Sequence, residues 1–221
     1  GSIVNGGAVV VGGLVGMFVG KLLPERLRTS VMAALSLMTI GIAVPGLLKS
    51  NNALIPIISM VVGTLIGELM DIDSAVNKLG EKLQKRFSGS RVTEGFVTGS
   101  LVFAVGALAV MGPLESGLQH QHSLLFSKSV IDGVASIVFA STMGLGVALS
   151  GITVFVVEGS IALLASVVAP YLGEAVVNEI TFVGSLLIVG ISLNLLGATK
   201  LRILNMVPAI LLPILLCRFM G

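Results

Sequence analysis

The stretch IVNGGAVVVGGLVGMFVGKL, residues Ile3–Leu22, decides the fold class. It is apolar over about 20 residues, the length that an α-helix needs to cross the hydrocarbon core of a bilayer. Its polar residues stand near the two ends, Asn5 at one and Lys21 at the other. We predict a retained membrane span and not a signal peptide, because no basic region precedes the run and no small-residue cleavage site follows it.

Seven further runs of similar length follow along the chain. The composition agrees, because 55% of the residues are hydrophobic and only 11% are charged, against roughly 25% in an average soluble domain. We therefore predict an all-α integral membrane protein, a bundle of about eight transmembrane helices that forms a single polytopic domain over residues 1–221. The later predicted spans are Thr29–Leu48, Leu54–Met70, Thr93–Met111, Leu124–Leu145, Val147–Val168, Val176–Leu196 and Leu201–Met220.

The boundary between the fifth and sixth spans is the weakest of these predictions. Only small residues separate the two apolar runs there, namely Gly144, Gly146, Ser150 and Gly151. An arrangement with seven spans therefore stays open.

Lysine and arginine concentrate in alternate connections between the spans. By the positive-inside rule these connections lie in the cytoplasm and both termini lie outside. The placement of the basic residues thus follows from topology, and we expect no nucleic-acid partner. Within the third connection, Ile72, Val76, Leu79, Leu83 and Phe87 recur at helical spacing, which fits either an amphipathic helix on the membrane surface or a solvated extension of the third span. The basic connections contain Lys21, Arg26 and Arg28, then residues 78–91, then Lys200 and Arg202.

An internal similarity relates the two ends of the chain. An offset of 149 positions aligns Ser36 with Ser185 (36 + 149 = 185) and Gly41 with Gly190 in the second and seventh spans. Because these spans run in opposite directions, the similarity predicts a possible inverted three-helix repeat with halves 1–72 and 150–221, an architecture found in secondary transporters. Chance matches between apolar helices are the alternative.

Glycines recur every four residues on two predicted spans. Gly12, Gly16 and Gly20 share one face of the first span, and Gly63 with Gly67 share one face of the third. Such stripes allow close approach of helix backbones, and we predict a packing role for all five.

A few polar side chains fall at membrane depth, where they are costly and therefore typical of functional sites. Lys128 and Asp132 are four residues apart and can pair on one helix face, while Glu158 has no basic neighbour in the sequence. With Asn5 and Asn194 they form our predicted lining of a substrate or ion path. The alternatives are a structural ion pair, a neutral carboxyl group and amides that join helices.

Common catalytic and phosphate-binding motifs are absent from the sequence. It contains no Gly-Lys-Ser/Thr phosphate loop, no HExxH and no GxSxG motif, so we predict no catalytic residues and no enzyme. The single Cys217 excludes an internal disulfide, and His120 with His122 is too short a pattern to specify a metal. We therefore predict no cofactor and no metal.

Six segments along the chain are recognisable as motifs: Ile3–Asn5 with Gly12 and Gly13, Leu23–Arg26, Gly63–Glu68, Lys128–Asp132, Phe139–Gly146 and Asn205–Ala209. Together they resemble the YqgA/YdfK-like family of prokaryotic membrane proteins. The resemblance covers essentially the whole chain and implies a bacterial inner-membrane location with a role in ion or small-solute transport. A glutamine often occupies the place of Glu158 in that family, which implies a polar lining and not an obligatory proton carrier.

From these observations we predict a multi-pass protein of the bacterial cytoplasmic membrane whose partners are the lipid bilayer and a small cation or small solute. It would act as a transporter or channel-like protein, and as a homo-oligomer because so small a bundle encloses little space. The alternative is a structural or regulatory membrane protein in which the polar residues only join helices.

Overall fold

The structure, a computed structural model, describes residues 1–22, 24–78, 91–105 and 107–220, and these residues form helices and no strands. Two short 3-10 segments, Ala169–Tyr171 and Val207–Ile210, complete the secondary structure of the described residues. The α-helices are α1 (Ser2–Gly20), α2 (Glu25–Leu47), α3 (Leu54–Met70), α4 (Ile72–Lys78), α5 (Val92–Ala104), α6 (Ala107–Gln119), α7 (Ser123–Met143), α8 (Leu145–Leu163), α9 (Ala165–Val168), α10 (Glu174–Leu195), α11 (Ile203–Met206) and α12 (Leu212–Met220).

Among the described residues, five helices are each long and apolar enough to cross a membrane: α1, α2, α7, α8 and α10. The number rises to eight if each of three bent pairs forms one span; these pairs are α3 with α4, α5 with α6, and Ile203–Ile210 with α12. Their large apolar side chains face outward in many places, as lipid contact requires, and Leu69 and Leu163 are more than four-fifths exposed. The predicted all-helical membrane fold is confirmed.

The fourth predicted span is not the continuous helix that we expected. Helix α5 ends at Ala104, Val105 adopts an extended conformation, and α6 then leaves at an angle of 57°. Pro113 lies inside α6 and does not mark this break. The break therefore falls where two apolar helical segments meet and not at the proline.

Two other predicted spans also differ in their extent. Helix α8 ends at Leu163, before the predicted end at Val168, and the short helix α9 follows it. The predicted eighth span bends by 42° between Ile203–Ile210, which ends in a 3-10 segment, and α12.

The junction between α7 and α8 is a single residue. Gly144 has a φ of 72°, in the left-handed region where a side chain is strained, and it accordingly ends α7. The stretch that left a seven-span alternative open is thus divided into two helices.

Helix α1 packs between α7 and α8, and its glycine stripe sets the distance to α7. A Cβ atom at Gly16 would lie 2.1 Å from the carbonyl oxygen of Ile137, closer than atoms can approach. Each glycine of the stripe therefore packs against a backbone carbonyl of α7, and successive contacts are one helical turn apart. An added Cβ atom would likewise lie 2.3 Å from Gly133 O at Gly12 and 2.2 Å from Ser141 O at Gly20.

The glycines of α3 face the last bent pair in the same way. A Cβ atom at Gly67 would lie 1.9 Å from the carbonyl oxygen of Asn205, and one at Gly63 would lie 2.4 Å from the Cα of Ala209. At the far end of α3, the Asn52 side chain donates to the carbonyl of Met220 over 3.2 Å. The segment from α11 to α12 thus runs antiparallel along the full length of α3.

The described residues of the three basic connections lie at one end of the bundle, which we name the basic end. Arg91, Lys200 and Arg202 line a cavity of about 520 Å³ there, and Arg202 pairs with Glu68 over 2.6 Å. Asn51, Asn52 and Glu179 lie together at the opposite end. Of the predicted amphipathic segment, α4 covers Ile72 and Val76, while Leu79, Leu83 and Phe87 lie outside the described residues.

Candidate functional site

Four helices meet around a cluster of polar side chains. Asn5 stands in the first turns of α1, Lys128 and Asp132 lie one turn apart on α7, and Glu158 comes from α8. Helices α1 and α8 pack closely here. A Cβ atom added at Gly6 would lie only 2.9 Å from the backbone oxygen of Gly151. We call Asn5, Lys128, Asp132 and Glu158 the charged cluster.

The members of the charged cluster bind one another directly. The amide nitrogen of Asn5 donates to Glu158 Oε1 over 2.8 Å and to Asp132 Oδ2 over 3.1 Å. The ammonium of Lys128 donates to the same Asp132 oxygen and lies 3.3 Å from Glu158 Oε1. The two carboxylates therefore share both a lysine and an asparagine.

A fourth helix contributes a backbone carbonyl. Lys128 Nζ donates to the carbonyl oxygen of Phe103 over 2.6 Å. Phe103 lies in the last turn of α5, where carbonyl oxygens lack partners within the helix and the helix dipole is negative. The break after Ala104 thus exposes an acceptor that the lysine satisfies.

Water has almost no access to this group. Asn5 and Glu158 have 0% of their surface exposed, and Lys128 and Asp132 have 6% each. Charges removed from water are tolerated only when they are paired and hydrogen-bonded, which the contacts above achieve in part.

Two atoms of the charged cluster stay unsatisfied. Asn5 Oδ1 and Glu158 Oε2 are buried and have no hydrogen-bond partner among the described residues. Both amide hydrogens of Asn5 are already donated, so neither orphan atom can be satisfied by that side chain. Both atoms are acceptors of hydrogen bonds, and they therefore invite a donor or a cation.

The charged cluster lies closer to one end of the helix bundle than to the other. Asn5, Lys128 and Glu158 each stand within about 5 to 8 Å of a helix end, at 1.5 Å per residue. These helix ends lie far from the basic end. The first basic connection begins at Lys21, which follows the other end of α1. The charged cluster therefore belongs to the half of the bundle opposite the basic end.

The structure does not bring Asn194 to the charged cluster. Its amide nitrogen donates to Leu201 O over 2.7 Å, and its Oδ1 accepts from Thr199 Oγ1 over 2.7 Å and from the Leu201 amide over 2.8 Å. Asn194 also lines the cavity at the basic end. Asn194 therefore holds the loop after α10 in place. It lies in the last turn of that helix, where backbone groups lack partners within the helix.

Two features of the site had no clear signal in the sequence. The carbonyl of Phe103 is a backbone group, and only the break in a continuous apolar run exposes it. Glu179, which lies in the seventh predicted span and outside the charged cluster, is only 2% exposed and accepts from the backbone amides of Asn51 and Asn52 over 2.9 and 3.3 Å. In the described part of the chain, no three His, Cys, Asp or Glu residues group as metal ligands.

The fold and the charged cluster define a polytopic membrane protein with a buried, charged polar site. Residues 1–218 match the profile of the family described as "Protein of unknown function (DUF554)", and the chain belongs to that family. It is similar to the uncharacterized membrane protein YdfK of Bacillus subtilis, with 31% identity over 217 residues that cover 96% of this chain and 93% of the relative. It is also similar to the uncharacterized protein YqgA of Escherichia coli, with 27% identity over 219 residues and the same shares of coverage. No solved structure matches the chain.

Proposed function

We propose that this protein transports a small cation or small solute across the bacterial cytoplasmic membrane, with the charged cluster as the site through which the substrate passes. One observation carries the proposal: Glu158 is fully buried, and one of its carboxylate oxygens has no partner among the described residues. An unsatisfied carboxylate oxygen at membrane depth is costly, and binding of a substrate removes that cost.

The broken helix supports the same proposal. Transporters commonly bind ions where a membrane helix is interrupted, because the freed carbonyl oxygens carry partial negative charge. The carbonyl of Phe103 at the end of α5 is such a group, and it faces the lysine of the charged cluster. The chain acts in this proposal without enzymatic activity.

Eight spans and an inverted repeat are part of the proposal. The start of α5 adjoins the start of α8, since a Cβ atom at Gly146 would lie 2.0 Å from Val92 O. Helix α6 adjoins the end of α8, since a Cβ atom at Gly117 would lie 2.2 Å from Ala162 O. This supports α5 with α6 as one bent span along α8. Contacts of α1 with α8, α2 with α10 and α3 with α11 are those expected of equivalent helices beside a two-fold axis. Superposition of residues 1–72 on 150–221 tests the repeat.

Location and assembly follow from the same proposal. Helical spans are typical of cytoplasmic membranes, since outer-membrane proteins are usually β-barrels. The basic end would then face the cytoplasm and the charged cluster would lie in the outer half of the bilayer. A homo-oligomer is expected, and light scattering with the detergent contribution subtracted measures its mass.

Flux in liposomes tests the transport function. Asp132→Asn and Glu158→Gln preserve shape while removing charge, and we expect each to change flux by about tenfold or more, as a barrier change of about 1.4 kcal/mol would produce. Glu179→Gln is the matched control, because Glu179 is also a buried carboxylate with one oxygen that has no partner among the described residues, and it lies outside the charged cluster. Its flux should stay near that of the unchanged protein.

The structural alternative has its own supporting observation, because the charged cluster joins four helices. If it only holds α1, α5, α7 and α8 together, both variants should lose thermal stability in proportion to any loss of flux. Flux that falls while the melting temperature stays within a few degrees supports transport. Parallel losses, or unchanged flux in stable variants, would remove these residues from the transport path.

A further inference from the structure

We propose that the charged cluster takes up one unit of positive charge from solution, as an alkali cation or a proton, at the orphan oxygens of Glu158 and Asn5. The ammonium of Lys128 is the resident cation of the same site. This inference deepens the proposed function, on which it rests for its biological meaning, by naming a substrate class for that site.

The count of charges gives the first argument. In their ordinary ionisation states, Asp132 and Glu158 carry two negative charges and Lys128 carries one positive charge, so the charged cluster is left with one negative charge. A net charge buried in this way costs several kcal/mol relative to water. One added positive charge makes the site neutral, whereas a divalent ion would reverse the imbalance.

The geometry shows which carboxylate carries the excess. Lys128 binds Asp132 directly and also binds the carbonyl of Phe103 over 2.6 Å, while its distance to Glu158 Oε1 is 3.3 Å. The lysine is therefore committed mainly to Asp132. Glu158 is the less compensated group, and its second oxygen is one of the two orphan atoms.

The orphan atoms give the second, independent argument. Glu158 Oε2 and Asn5 Oδ1 are both oxygen acceptors, and both side chains are fully buried. Carboxylate and amide oxygens are ligands that hard cations accept, and a proton on Glu158 would turn one acceptor into a donor. At these two oxygens, an added anion or neutral acceptor would meet only other hydrogen-bond acceptors.

The surroundings of Glu158 supply few other charges. Helix α7 faces it with Lys128 and Asp132, α1 with the uncharged Asn5, and α5 reaches the same lysine through a carbonyl. In the described residues of α6 and α9, no side chain forms an ion pair with it. A response that Glu158→Gln abolishes can therefore be assigned to this site.

Thermal unfolding of the purified protein in detergent measures the uptake without any flux. One arm holds the pH at 8.5 and exchanges choline for Na⁺, K⁺ or Li⁺ at constant ionic strength. The other arm lowers the pH from 9 to 5 in choline alone. Binding to the folded state raises the melting temperature, on the order of 5 °C when the ligand is about 100-fold above its dissociation constant. The first arm detects an alkali cation, and the second detects a proton.

Two variants should move the response in opposite directions. Glu158→Gln balances the charges, so we expect the cation-dependent or pH-dependent rise to disappear while the protein stays folded. Lys128→Gln raises the imbalance to two negative charges, and we expect a lower melting temperature in choline and a larger rise on adding the cation or proton. Glu174→Gln, at an exposed carboxylate of α10, is the control and should respond as the unchanged protein does. A purely structural role would not produce responses of opposite sign.

Equal responses of the unchanged protein and both variants would overturn the inference, as would the absence of any response in both arms. If Lys128→Gln does not fold, binding of ions and protons to the unchanged protein and to Glu158→Gln decides. We expect the unchanged protein to take up one more cation or proton per protomer than Glu158→Gln, and equal uptake by the two would overturn the inference. Uptake without flux would contradict the transport proposal alone. Flux without uptake would contradict this inference alone.

Discussion

The ammonium of Lys128 donates a hydrogen bond of 2.6 Å to the carbonyl oxygen of Phe103, at the point where α5 ends inside an apolar stretch. This contact links a break in one helix to the charges on two others, since the same ammonium reaches Asp132 and Glu158. A lysine side chain is long enough to satisfy a helix end and to neutralise a carboxylate at once. The position of the break and the composition of the charged cluster therefore depend on each other.

Removing the charge of Lys128 should destabilise the fold strongly. Lys128→Met leaves the carbonyl of Phe103 and the carboxylate of Asp132 without their donor, and breaking a buried ion pair in this way costs about 3 to 5 kcal/mol. We expect a much lower melting temperature or loss of folded yield. Lys200→Met is the control, because Lys200 is exposed at the basic end and should change stability little. Equal stability of the two variants would contradict the contact.

Glycine positions on α1 should respond to alanine with opposite signs. Gly16→Ala places a Cβ atom 2.1 Å from Ile137 O, so we expect a loss of about 1 to 3 kcal/mol from the backbone shift that is required. Gly7 has no atom within 4 Å of the added Cβ, and Gly7→Ala should be neutral or should stabilise the helix by up to about 1 kcal/mol. Thermal unfolding in one detergent compares them. Losses of similar size would exclude close packing as the cause.

Glu179 should act as an anchor for the connection between α2 and α3. Its Oε1 accepts from the backbone amides of Asn51 and Asn52, so Glu179→Ala leaves two donors unsatisfied and should cost about 1 to 3 kcal/mol. Glu179→Gln keeps an acceptor oxygen and should cost clearly less. Susceptibility of this connection to proteolysis is a second readout, and it should rise only in the alanine variant. Equal effects of the two substitutions would argue against the hydrogen bonds.

The two ends of the bundle should label from opposite sides of the membrane. After Cys217→Ser removes the native thiol, a cysteine at position 200 marks the basic end and one at position 51 marks the opposite end. The positive-inside rule predicts that an impermeant thiol reagent added to intact cells modifies position 51 and spares position 200 until the cells are opened. The reverse pattern would invert the orientation, and with it the assignment of the charged cluster to the outer half.

Much of the fold was available from the sequence because its causes are local. The length of an apolar run fixes whether a helix can cross a bilayer, and this predicted the helices that contain Asn5 and Glu158. The pairing of Lys128 with Asp132 follows from helical spacing alone. The four-residue period of the glycines likewise placed them on single faces before any neighbouring helix was known.

Tertiary packing selects which helices meet. It gave Glu158 a lysine partner from another helix, ended α5 at Ala104 so that Phe103 presents a carbonyl, and assigned Asn194 to the basic end. None of these follows from spacing, because apolar helices share the same few residue types and choose their neighbours by the complementarity of whole surfaces. Run length and helical spacing therefore place the charges within apolar helices, whereas helix packing brings them into one site.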